Sequence, residues 1–170
     1  MPSGSSFLSL PVDELLKLLK QNASITPADA ASALDIAESD VRARIAAFEK
    51  DGTILGYQAL LDPQKLSEEF VTAAVEVRIT PERGGGFDRL AARIAKFEEV
   101  QSCYLMSGGY DLLVIVEGRS LQQVAGFISE KLSTIKGVIS TATRFRLKAY
   151  KENGTLLIRE ARASRLAVAP

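Results

Sequence analysis

Histidine is absent from this 170-residue chain, and cysteine occurs once, as Cys103. Without an imidazole there is no common base to activate a serine or cysteine nucleophile, and no cluster with zinc-ligand spacing. The carboxylates include no pair whose spacing argues for acid–base work. A lone cysteine excludes an internal disulfide and fits a reducing compartment. No apolar run reaches the roughly 18 residues of a membrane span. The first ten residues lack the basic start and long apolar core of a secretory signal, so the Asn-x-Ser/Thr sites at Asn22 and Asn153 are read as coincidental. These absences predict a cytoplasmic protein that is not an enzyme, with no catalytic residues, cofactor or metal.

What is present is the balance of a globular chain, 46% apolar and 25% charged, long enough for one ordinary domain or two small ones. Charge is unevenly spread. Residues 1–62 carry five Lys/Arg against nine Asp/Glu, a net of −4, whereas residues 63–150 and 151–170 each carry a net of +2. Modules that bind nucleic acid are usually basic, because neutralising phosphates supplies much of their affinity. An acidic head that reads DNA is therefore expected to bind weakly or to need a second copy.

In residues 1–62, Val12, Leu15, Leu16 and Leu19 follow the spacing of an amphipathic helix, which Asn22-Ala23-Ser24 interrupts. Thr26 suits an N-cap and Pro27 a first helical position, predicting a second helix to about residue 34. A turn at Asp35-Ile36 leads to a third helix over 38–50, with Val41, Ile45 and Phe48 on its buried face. Ser39, Arg42, Ala43, Ala46 and Lys50 form a separate stripe, short residues first and cations nearby, as a helix entering a DNA groove must present. Arg44 borders the buried face, within reach of a phosphate or base edge. An ordinary solvated helix face would show the same spacing. Gly52 closes the helix, and residues 53–60 read as a short two-stranded wing or the start of a linking strand, ending at Asp62-Pro63.

The second half alternates between strand and helix patterns. Val71, Ala73, Val75, Val77 and Ile79 share one face of a strand, with Thr72, Glu76, Arg78 and Thr80 on the other. Arg83-Gly84-Gly85-Gly86 is a linker, since no Lys-Ser follows as in a phosphate loop. Phe87, Leu90, Ala91, Ile94 and Phe97 form a helical stripe. Strands are predicted over 100–106 and 112–116, the latter apolar on both faces. Leu121, Val124, Ala125, Ile128 and Leu132 form a second helix. A fourth strand places Ile139, Thr141, Thr143, Phe145 and Leu147 on one face. Between the second and third strands lies Ser107-Gly108-Gly109-Tyr110-Asp111, a two-glycine turn with an aromatic and a carboxylate, which lets a backbone approach a ligand closely. The βαββαβ order with right-handed crossovers puts both helices on one face of a four-stranded antiparallel sheet. The bare face predicts a homodimer.

The chain resembles the Lrp/AsnC family of feast/famine regulators over about residues 10–150. Val41, Arg44-Ile45, Phe48-Glu49, Gly52 and Ile54 carry the likeness in the first half, followed by Gly56-Tyr57, Ala59 and Leu61-Asp62-Pro63. In the second half it is carried by Val100, Ser107-Gly108, Tyr110-Asp111-Leu112, Glu130-Lys131-Leu132, Gly137-Val138, Ser140-Thr141 and Thr143. The resemblance implies an α+β protein: a winged helix-turn-helix DNA-binding domain with a linker strand (1–62), a ferredoxin-like amino-acid-sensing and oligomerisation domain (63–150), and a C-terminal extension (151–170). It implies operator DNA and a small amino-acid effector as partners, and homodimers that in the family often assemble into octamers. Carried onto this sequence, the DNA-facing residues are Ser39, Arg42 and Arg44. The effector-binding residues are Ser107, Gly108, Gly109, Tyr110, Asp111, Gly137, Val138, Thr141 and Thr143, with Leu105, Ile135 and Val138 as apolar neighbours.

Three departures bear on DNA binding. Asp35 stands where the family usually has the turn glycine, Ala37 replaces the usual serine cap, and Ala46 and Ala47 fill positions that are often basic. The tail, with Leu156, Leu157, Ile158 and Leu166, is read as an arm for a neighbouring subunit. Three functions follow: an amino-acid-responsive transcriptional regulator, a metabolite-binding oligomer with a vestigial reading head, or an enzyme of the sirohaem decarboxylase kind. The last is disfavoured by the missing histidine.

Overall fold

The computed structural model describes residues 13–62, 65–66, 70–80 and 86–157. Val12, Pro63, Arg83-Gly84-Gly85, Ile158 and Leu166 lie outside the described residues. The chain divides into two units, Met1–Leu60 and Leu61–Pro170.

The first unit holds α1 (Glu14–Gln21), α2 (Pro27–Leu34) and α3 (Glu38–Lys50). Each start has a local cause. The Asp13 carboxylate accepts the Leu15 N–H at 2.8 Å, and the Thr26 hydroxyl oxygen accepts the Asp29 N–H at 3.1 Å with Pro27 in the first turn. Ala37 offers α3 no side-chain cap. Between α2 and α3, Asp35 adopts the left-handed conformation at φ 53, which Asp tolerates better than most side chains. Leu15, Leu19, Ala30, Ala31 and Val41 form the buried centre, flanked by Ile25, Leu34, Ile36, Ile45, Phe48 and Ile54.

Gly52, at φ 80, ends α3, and the Ile54 N–H donates back to the Phe48 carbonyl at 2.9 Å. Neither the two-stranded wing nor the linking strand expected over 53–60 is formed; residues 54–62 run without strand pairing. No described strand lies alongside to pair with them. Leu55, Tyr57, Leu60 and Leu61 are left exposed.

The second unit runs β1 (Val71–Ile79), α4 (Gly86–Ile94), β2 (Val100–Leu105), β3 (Leu112–Gly118), α5 (Leu121–Gly126) and β4 (Val138–Phe145). The sheet order is β2-β3-β1-β4, antiparallel throughout. This is the predicted βαββαβ arrangement. Ala73, Val75, Val77 and Ile79 of β1 and Leu112, Val114 and Val116 of β3 pack against Ile94, Val124, Phe127, Ile128 and Leu132 in one core. The helices therefore share a face. On the opposite face, Leu113 and Ile115 are half-buried beside Ala74 and the Glu76–Arg144 ion pair.

Two patterns differ from the 3.6- and 2-residue periods. From Phe127 to Leu132 the second helix widens into π-helical winding, and the Ser133 N–H reaches the Ile128 carbonyl five residues back at 2.9 Å. Phe127, where the wider winding begins, is buried edge-on to Phe97 at 5.3 Å, whereas Leu121 and Ala125 of α5 are exposed. In β4 a register shift opposite Arg78 and Ile79 pairs Val138, rather than Ile139, with Ile79. Ile139 is exposed as a result, and so is Leu147, beyond the strand's end.

A hairpin, β5 (Lys151–Glu152) and β6 (Thr155–Leu156), turns on Asn153 at φ 45 and Gly154 at φ 85. Asn-Gly is the preferred pair for such a turn. Arg146 links this hairpin to the sheet: its guanidinium donates to Glu152 at 3.1 Å and to the Thr72 hydroxyl at 2.9 Å, which leaves Thr72 buried.

The Asp13 carboxylate also accepts a hydrogen bond from Arg44 of α3, joining the first and third helices. Partial burial pushes the Asp13 carboxyl up, but Arg44 and the Leu15 N–H outweigh it and hold the group below the ordinary aspartate range. A depressed folded pKa stabilises above the unfolded value of about 3.9 and is lost as pH falls through the folded value. Asp13→Ala should therefore cost about 1–2 kcal/mol at neutral pH, from cap and ion pair together. In urea melts of the full chain, the gap from the parent should close as pH drops below 4. A gap constant down to pH 2 would contradict this assignment.

Candidate functional site

Two surfaces carry the candidate residues. On α3, Ser39, Arg42, Ala43, Ala46 and Lys50 are all exposed, so the stripe read from the spacing faces solvent. Its cations differ in freedom. The Arg42 Nε donates to Glu38 Oε1 at 2.9 Å in an exposed pair one helical turn apart. Such pairs contribute about 0.3–0.5 kcal/mol, so a phosphate can displace Glu38. Arg44 is half-buried and held by the carboxylate that caps α1. Its contact positions α3 against α1 rather than pointing at a partner.

The glycine loop sits at the end of the sheet where β1 finishes. There the chain forms a tight set of backbone bonds. The Asp111 N–H donates to the Val77 carbonyl at 3.0 Å, and the Asp111 Oδ2 accepts the Ile79 N–H at 2.8 Å. The Met106 N–H donates to the Asp111 carbonyl at 2.8 Å. On the other flank of β1, the Thr80 N–H donates to the Gly137 carbonyl at 2.8 Å. Because β3 and β4 both border β1 and run antiparallel to it, their starting turns meet at its C-terminal end. That places Ser107, Gly108, Gly109, Tyr110 and Asp111 on one side of β1 and Gly137 and Val138 on the other.

The remaining candidates scatter. Thr141, opposite Val77, is half-buried, with its hydroxyl 3.1 Å from that of Ser133. Thr143 is exposed opposite Val75, four residues from the end of β1 and thus about 13 Å along the strand. Ile135 is buried in the chain's own core, so it is not open to a ligand side chain as expected; Val138 is partly buried against that core, and Leu105 is exposed. The described cleft lies at the opposite end of the sheet, between Phe70, Glu98, Glu99, Glu117, Arg119 and Gln123.

Sequence reasoning passed over two residues. Asp13 was outside the stripes, although a carboxylate just before a helical pattern is a cap signal. Arg78 was assigned only to the polar face of β1; its Nε donates to the Gly109 carbonyl at 2.8 Å, a contact made across 31 residues that no local pattern shows.

Both surfaces fall within stretches that match known protein families. The sequence model of the Lrp/AsnC ligand binding domain matches residues 72–156, and that of a winged helix-turn-helix DNA-binding domain matches residues 14–54. The HTH-type transcriptional regulator YugG of Bacillus subtilis (strain 168) is 42% identical over 158 residues, covering 92% of this chain and 95% of its own. The proline dehydrogenase transcriptional activator of Rhodobacter capsulatus is 32% identical over 141 residues, covering 83% and 91%. Among solved structures, E. coli AsnC superposes with a TM-score of 0.64 at 21% identity, covering 84% of this chain and 97% of its own. The Neisseria meningitidis regulator NMB0573, in complex with L-Met, does so with a TM-score of 0.66 at 24% identity, covering 82% and 89%. At these identities the structures establish a shared fold. The 151–156 hairpin falls inside the ligand-binding match, next to the sheet that Arg146 ties it to.

The bonds at Asp111 yield a direct test of the loop's anchoring. Asp111→Ala should cost about 1.5–3 kcal/mol in urea unfolding, the range for a hydrogen bond to a charged group. It should also speed amide exchange at Ile79. Unchanged exchange there would show that the carboxylate does not hold the loop.

Proposed function

Given that this chain belongs to the Lrp/AsnC family, with the family's ligand-binding domain behind a winged helix-turn-helix head, we propose that it is a cytoplasmic DNA-binding transcriptional regulator controlled by a small amino acid. The effector site is assigned to the glycine loop with Gly137 and Val138, completed by a second copy of the chain. One observation carries this assignment: β1 brings the loop and the 137–138 turn to the same sheet end, where residues 107–109 are exposed. Relatives point to the ligand class. Two are named leucine-responsive regulatory proteins, and two structural neighbours are described as L-methionine complexes.

The bare sheet face pairs two copies into a homodimer, and dimers associate further, toward an octamer, around the loops. An effector bound between dimers shifts the assembly by its differential affinity for two arrangements. Reading heads about 34 Å apart match half-sites one helical turn apart, and a shifted assembly breaks that match. Ser39 and Arg42 contact DNA. Arg44 holds α3 in place through Asp13.

A second reading, a metabolite-binding oligomer with a vestigial head, draws on one specific feature. The head carries a net of −4, and both arginines of α3 are paired with carboxylates. Retardation of the protein's own promoter DNA at low salt separates the two. A regulator binds it; a vestigial head does not.

Two outcomes follow for that regulator. Arg42→Ala should weaken promoter binding about tenfold and lower the salt slope by about one unit, whereas Glu38→Gln should strengthen binding by freeing Arg42. Equal affinities for all three proteins would remove Arg42 from the DNA face. In a thermal-shift screen of the twenty amino acids, an effector at 100 times its Kd should stabilise the folded chain by about 2.7 kcal/mol. A screen with no shift would exclude an amino-acid effector.

A further inference from the structure

We propose that Arg78 and the free amide N–H groups of Gly108 and Gly109 form an anion grip that holds the carboxylate of the bound amino acid. The proposal rests on the amino-acid reading above and adds a residue and a charge to it. Arg78 stands at the end of β1 on the face away from the helices, with Ser140 as its cross-strand partner. Its Nε is used on the Gly109 carbonyl at 2.8 Å. Its two terminal nitrogens have no hydrogen bond or ion pair to any described residue, and the side chain is exposed. The carboxylate two residues away does not neutralise it, since Glu76 is paired with Arg144.

The loop beside it shows matching vacancies in its hydrogen bonding. Among the described residues, the N–H groups of Gly108 and Gly109 donate to nothing, although the neighbouring Met106 and Asp111 N–H groups are both bonded. Consecutive free amides in a turn make an anion-binding concavity. The glycines point the same way. Gly108 needs its φ of 129, but Gly109 has no positive φ, and a Cβ added there would meet nothing within 4 Å. The chain's own packing thus leaves room for a side chain at 109. Close approach of a molecule from outside gives its absence a use.

A guanidinium fixed at Nε presents its remaining donors as a fork, the geometry that binds a carboxylate with two parallel hydrogen bonds. Asp111 completes the polarity. Its Oδ2 is occupied by the Ile79 N–H, and its Oδ1 accepts from no described residue, so it is placed to receive an ammonium group. A cation grip and a carboxylate within one turn suit a zwitterion, and they discriminate against a neutral head group.

The test uses the full chain and two probe pairs, L-methionine with L-methioninamide and L-leucine with L-leucinamide, by calorimetric titration. The wild type should bind the acid at least tenfold more tightly than its amide. Arg78→Gln should lose that tenfold for the acid and leave the amide unchanged, and Arg78→Lys should fall between. Retained discrimination in Arg78→Gln would overturn the proposal. If Arg78→Gln does not fold, Arg78→Lys decides, because a lysine lacks the fork; full wild-type discrimination in that variant would also overturn it. If neither amino acid binds the wild type, the amino-acid reading fails for these ligands, and inorganic phosphate still tests the grip. A phosphate-induced thermal shift that disappears in Arg78→Gln supports it, and the same shift in both proteins, or none in either, rejects it.

Discussion

Strand β1 lies inside a sheet with helices on one face only. On that side Ala73, Val75, Val77 and Ile79 are sealed by α4, α5 and the π-helical turn. On the other, Leu113 and Ile115 are half-buried and no described element of the second unit covers them. Apolar sheet surface in water carries a cost of about 25 cal/mol per Å² that burial recovers. A second copy recovers it most simply, because a twofold axis lets the same patch serve both sides. The proposed assembly, and through it the effector site, depends on that one unmet burial.

The two candidate surfaces hang on short polar contacts rather than on large cores. Asp111 fastens the glycine loop to the end of β1 through the Ile79 N–H, and Arg78 fixes the loop's Gly109 carbonyl from the sheet. Asp13 both starts α1 and holds Arg44 of α3. In each case a charged side chain takes over a backbone donor or acceptor that would otherwise need water. Among the described residues, the donors left free on Arg78, Gly108 and Gly109 lie at the exposed end of the glycine loop.

Periodicity made most of the architecture legible. The inward residues of β1 and the stripe of α4 pack as their spacing implies, and Thr26-Pro27 starts α2 as its chemistry requires. It failed where the backbone left the ideal period. Phe127, outside the predicted stripe, is buried where the winding widens, and the shifted register of β4 turned Ile139 out. Asn153-Gly154 carried a hairpin signal that the sequence reading passed over, noting Asn153 only as a coincidental Asn-x-Thr site. The glycine loop was visible as a motif, but its partner Arg78 was not, since a bond spanning 31 residues leaves no trace in local spacing. Arg44 shows the reverse: its position on the helix suggested DNA, and only the fold reveals the Asp13 carboxylate beside it.

The pairing of bare sheet faces is open to one direct measurement, sedimentation equilibrium of the full chain at micromolar concentration, with Ile115→Lys alongside. The account predicts a dimer or a multiple of it for the parent. It predicts a shift toward monomer for the variant, which puts a charge on the open face of β3 without touching the helix-covered core. A parent chain that sediments as a monomer, with the variant indistinguishable from it, would contradict it.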